Sequence, residues 1–116
     1  SVTHPVFNSG DAILIAEAEE EGTSLVTKYR IKLGDYLTSR VVMGSGMDGQ
    51  PEQHHYFHRP VSVLFNLCFK HGFVLDGFEE PAFPVGTPSR SGQGLSWANF
   101  NAIPQVLVAR MRLAAG

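Results

Sequence analysis

Five histidines, three of them crowded at His54, His55 and His58, are the residues whose chemistry first draws notice. Spacings of three and four suit metal ligands on a helix, but residues 53–58 alternate like a strand, and no Asp, Glu or Cys sits in register with them. Packed or hydrogen-bonding histidines are therefore expected rather than zinc. In an extended segment His54, Tyr56 and His58 share one side and His55 and Phe57 the other, so the first three form a polar aromatic wall of the kind that lines a substrate pocket.

Gly44-Ser45-Gly46-Met47-Asp48-Gly49 spells G-x-G-x-x-G after Val41-Val42-Met43, which raises a dinucleotide loop. That mechanism needs the third glycine to open a helix whose amino terminus holds the pyrophosphate. Here Gln50-Pro51 and an alternating segment follow instead, and Asp76, the candidate ribose ligand, lies 32 residues after Gly44. A surface loop is the expected reading. Arg59 precedes Pro60 and so stays extended at the positive end of a helix, which calls for a carboxylate, with Glu79 and Glu80 the intramolecular candidates, or for a functional anion. The ion pair is the commoner outcome. Cys68 falls on an apolar helical face and reads as an inert thiol. No Ser-His-Asp spacing and no paired carboxylates stand out.

The elements that must position these groups belong to a single domain of 116 residues, with 43% apolar composition and a formal charge of -2. That balance gives no field to draw in nucleic acid or an anionic membrane. The longest apolar run, residues 12–16, is far below the roughly 20 residues of a spanning helix, so a soluble chain is expected. One cysteine excludes an internal disulfide and points to a reducing, cytoplasmic setting. Residues 1–4 read either as the last rungs of a strand stopped by Pro5 or as a flexible tail. Residues 11–21 also carry two readings. Asp11 as N-cap, the Ala and Glu run and Gly22 as stop suit a helix. A hairpin turning at Glu21-Gly22 gives the alternating Leu25-to-Leu33 strand the neighbour it needs, and is preferred. Tyr36 to Met43 can continue as a strand.

Pro60 opens the clearest helix, residues 60–71, expected to be mostly buried against a sheet through Val61, Leu64, Phe65 and Cys68. A strand over 73–80 and a last strand over 106–113, with Leu107, Ala109, Met111 and Leu113 on one face, flank a long Gly, Ser and Pro connection anchored by Phe83, Trp97 and Phe100. The class is α+β: a mixed sheet, one main helix and an inserted β-rich segment over 10–58, followed by the helix and a terminal hairpin over 59–116.

In order, His4-Pro5-Val6-Phe7-Asn8, an insertion, Tyr56-Phe57-His58-Arg59-Pro60 opening a helix, Gly72-Phe73-Val74-Leu75-Asp76, Glu79-Glu80-Pro81 and Ile103 to Arg110 resemble the carboxy-terminal part of class I S-adenosylmethionine-dependent methyltransferases. The resemblance spans nearly the whole chain. It implies a fragment of a Rossmann-like α/β fold, with residues 1–4 ending the fifth strand, 60–71 the next helix, 73–80 the sixth strand, 104–113 the antiparallel seventh and 10–58 a lid over the substrate. The family's glycine-rich cofactor loop and its acidic partner would lie upstream, so the chain by itself carries no cofactor site and is expected to be inactive, S-adenosylmethionine belonging to the parent protein. The resemblance also implies that His4 and Phe7 lie near the acceptor, a small molecule, with Tyr36, Tyr56 and His58 along the lid; Arg59 joins them as a candidate substrate-binding residue. No residue is assigned as catalytic. The alternative is a free-standing binding module that recruits a partner, or a second copy, through an exposed strand edge; a homodimer is expected of the fragment.

Overall fold

The computed structural model describes residues 1–44, 51–89 and 95–115. It is an α+β arrangement of seven strands and one α-helix among those residues. Strands β1 (Val2–Thr3), β7 (Val106–Leu113) and β6 (Phe73–Glu79) form one sheet in the order β1-β7-β6. Both β1 and β6 pair antiparallel with β7, so they run parallel to each other with β7 between them. Parallel strands need a long crossover, and helix α1 (Val61–Lys70) lies on the path from β1 to β6.

The insertion resolves into two hairpins. β2 (Ala12–Glu21) pairs with β3 (Ser24–Leu33) over ten residues each, closed by the two-residue turn Gly22-Thr23. Gly22 at the first turn position has φ +63, a geometry that suits a tight hairpin and only glycine adopts freely. This settles residues 12–21 as strand, with Asp11 in the turn before it. Asp11 is not a helix cap: its carboxylate accepts the backbone N–H of Asp35, closing the base of the hairpin. Across one face Arg30 donates to Glu17 and Glu19 and Lys28 pairs with Glu21, so acidic β2 and basic β3 neutralise each other. β4 (Arg40–Gly44) pairs with β5 (His54–His58), leaving Tyr36 to Ser39 outside any strand.

The core is small. Phe65, Phe100 and Leu107, with Pro5 and Pro60, are the buried apolar side chains among the described residues. Leu64, Phe65 and Cys68 of α1 and Leu107, Ala109 and Met111 of β7 line a shared apolar cavity of about 170 Å³, and Phe65 meets Phe78 of β6 at 5.7 Å between ring centroids. The expectation of a mostly buried helix fails, because three strands are too narrow to cover its wide apolar surface: Val63, Leu67 and Phe69 stay 40–49% exposed. The whole chain has 8184 Å² of accessible surface and a radius of gyration of 17.1 Å. A compact monomer of this mass exposes about 6,200 Å² and has a radius near about 13 Å.

Candidate functional site

A cleft of about 720 Å³ opens where β1 ends. Its walls are the chain leaving β1 (Thr3, Pro5, Asn8, Ser9), the β4–β5 hairpin (Val42 to Gly44 and His55 to Arg59), Leu64 of α1, and Trp97 with Gln105 from the long connection. Each wall is held by named contacts. The N–H of His4 and the side-chain amide of Asn8 both donate to the Gln105 carbonyl, at 2.9 and 3.2 Å, fixing the β1 exit against the approach to β7. Trp97 starts a short 3-10 turn, Trp97–Asn99, and its ring lies 5.5 Å from that of Phe100, which is almost wholly buried and also meets Tyr29 of the long hairpin. The side-chain amide of Asn101 donates to the carbonyls of Phe83, Pro84 and Ala98, tying the connection to itself.

Of the six candidate substrate residues, the structure gathers Tyr56, His58 and Arg59 on the cleft wall, while His4, Phe7 and Tyr36 are not among its lining residues. His4 is 3% exposed. Its Nδ1 accepts the Val6 N–H at 3.2 Å and its Nε2–H donates to Glu80 at 2.7 Å, so both ring nitrogens are engaged by the protein. Phe7 lies against that imidazole at 4.7 Å. His4 thus ties the end of β1 to the segment after β6.

Tyr36 also has an internal task. Helix α1 begins without an N-cap side chain, since Pro60 occupies that position, and without an acidic residue in its first turn. The Tyr36 hydroxyl accepts the Val61 N–H at 2.7 Å and does the capping from 25 residues away. The Tyr36 carbonyl in turn accepts Nε2–H of buried His58 at 2.7 Å, with the two rings edge to face at 5.8 Å. That bond makes Nε2 the donor and fixes the orientation of the ring.

Strand alternation puts Tyr56 and His58 on the side of β5 expected of them, opposite Val42 and Arg40 in the register. Gly44 lets the Tyr56 ring approach: a Cβ there would lie 3.0 Å from Cε2. Among the described residues neither Glu79 nor Glu80 pairs with Arg59. Glu80 is held by His4, and the Arg59 guanidinium lies 5.7 Å from the Phe57 ring centroid. Sequence reasoning missed Asn8, Met43, Leu64 and Gln105 as cleft residues and saw Trp97 only as an anchor. Nothing local marks them, because the cleft is assembled from four separated segments.

Helix α1 opens directly after β5 through Arg59-Pro60, with no glycine-rich turn between that strand and the helix. Of the glycine string, Gly44 closes β4 and residues 45–49 lie outside the described residues. Among the described residues no three His, Cys, Asp or Glu side chains are grouped to hold a metal, and no helix is long and apolar enough to cross a membrane. Comparisons with family models, curated proteins and solved structures found no match.

Proposed function

We propose that this chain is the carboxy-terminal, acceptor-side part of a methyltransferase that takes its methyl group from S-adenosylmethionine and passes it to a small molecule. The observation that carries the reading is the position of the cleft at the carboxyl end of β1, a strand parallel to β6 and linked toward it through α1. In open α/β sheets ligands bind outside the carboxyl ends of the parallel strands. An antiparallel β7 between those strands agrees with the Rossmann-like order that the sequence resemblance implies. On this reading Tyr56, His58, Phe57 and Trp97 hold and orient the acceptor. Rate in such a transfer comes largely from positioning. The donor site belongs to sequence upstream of Ser1. The test is calorimetric titration with S-adenosylmethionine of the 116-residue chain and of the polypeptide extended upstream in its own reading frame. Binding by the extended form alone is expected; a start codon immediately before Ser1, or micromolar binding by the short chain, overturns the reading.

A second reading, a binding module that self-associates, is favoured by the uncovered apolar side of α1, where Val63, Leu67 and Phe69 are 40–49% exposed. Light scattering on the 116-residue chain decides it: a dimer supports self-association, a monomer across the accessible concentration range removes it.

A further inference from the structure

The cleft has a composition that the acceptor reading does not by itself require. Among its described lining residues Arg59 is the one permanent cation, and no Asp or Glu is present. The chain as a whole is acidic, at -2, so this is a local excess of positive charge. The same cleft is lined by the flat side chains of His55, Tyr56, Phe57 and Trp97. Three planar groups stand in a row along one side of β5 and its extension. His55 stacks on Phe57 with centroids 6.4 Å apart and planes 28° apart, and the Arg59 Cζ lies 5.7 Å from the Phe57 centroid on the same run. Phe57 is 61% exposed and Met43, paired across the hairpin with His55 on the same side, 53% exposed, apolar surface left uncovered along the cleft.

We propose that this row binds a planar aromatic carboxylate, its ring against Phe57 and Met43 and its carboxylate on Arg59. The inference rests on the acceptor reading of the same cleft and names the class of acceptor. An arginine lying over an aromatic face keeps its N–H edge available for two parallel bonds to a carboxylate. A ring brought beside Phe57 gains offset stacking in addition to apolar burial, which a saturated ring of the same size does not. Requiring both features at once is what gives selectivity.

Trp97 is the single tryptophan of the chain and lines the cleft, so its fluorescence reports occupancy without any donor present. The full chain is titrated with benzoate, with cyclohexanecarboxylate, which keeps the charge and loses the flat ring, and with benzyl alcohol, which keeps the ring and loses the charge. Saturable quenching by benzoate, about tenfold tighter than by either analogue, is expected, equivalent to about 1.4 kcal/mol. Arg59→Ala should remove the preference over benzyl alcohol, Arg59→Lys should restore part of it, and Phe57→Ala should remove the preference over cyclohexanecarboxylate. Both side chains are exposed, and circular dichroism verifies that the variants fold. Equal binding of the three probes, or unchanged selectivity in Arg59→Ala, overturns the proposal. Because no methyl donor is involved, this result and that of the donor titration fail independently.

Discussion

Tyr36→Phe removes one oxygen and leaves the ring in place, which isolates the capping bond at the start of α1. The ring contact with His58 and the backbone carbonyl that receives His58 Nε2–H both survive the change. What is lost is the acceptor, 2.7 Å from the Val61 nitrogen, in a helix with no other N-terminal device. Loss of a capping acceptor costs about 0.5–2 kcal/mol, and the half-buried setting of Val61 puts this case in the upper part, about 1–2 kcal/mol. A chain of 116 residues unfolds with an entropy near about 0.24 kcal/mol/K, so the midpoint should fall by about 4–8 °C. Thermal unfolding followed by far-ultraviolet circular dichroism reads the shift directly. Ser62→Asp, at an exposed first-turn position, should recover about 0.3–1 kcal/mol in the Tyr36→Phe background by complementing the helix dipole. A Tyr36→Phe protein that melts within about 1 °C of the parent would refute the capping role, since the bond would then contribute less than about 0.3 kcal/mol.

Other changes test the remaining contacts. The Asp76 carboxyl is held below the usual carboxylate range by its hydrogen bond from Arg110, with Arg112 adding attraction and desolvation opposing. A depressed native value means the unfolded chain binds more protons, so this stabilisation is complete above the ordinary carboxylate pKa and disappears as pH falls through the lowered one. Urea midpoints should therefore drop more steeply on acidification in the parent than in Asp76→Asn; parallel curves would exclude the coupling. Gly44→Ala, whose Cβ would press on Tyr56 at 3.0 Å, should displace that ring and shift the Tyr56 ring resonances in a proton NMR spectrum, with under about 1 kcal/mol of lost stability; unshifted resonances would exclude the contact. Asp11→Ala frees the Asp35 N–H at the base of the long hairpin and should accelerate hydrogen exchange throughout β2 and β3 while leaving β6 and β7 unchanged.

Strand β7 was legible to the residue, because its alternation is decisive and its inward row, Leu107, Ala109 and Met111, faces α1 as the pattern requires. β2 was not, since Ala and Glu favour helix in isolation and only the ten-residue register with β3 overrides them. Asp11 shows the same ambiguity at one residue: a carboxylate that could cap a helix binds a backbone N–H 24 positions away instead. The helix bounds were read to within a residue, but its exposure depends on how much sheet lies beneath it, which local pattern does not specify. At the site, alternation placed Tyr56 and His58 correctly on one face. The tasks of His4 and Tyr36 could not be read, because their partners lie 76 and 25 residues away. Trp97 enters the cleft only through its packing on Phe100.

Transfer of a labelled methyl group from S-adenosylmethionine to an aromatic carboxylate by the upstream-extended polypeptide is the most direct measurement of what this chain does. Turnover that falls by about tenfold or more when His58 is replaced by Ala or Tyr56 by Ala is expected, as loss of acceptor orientation requires. Turnover unchanged by both substitutions, or no transfer to any small acceptor by a folded extended protein, would contradict it.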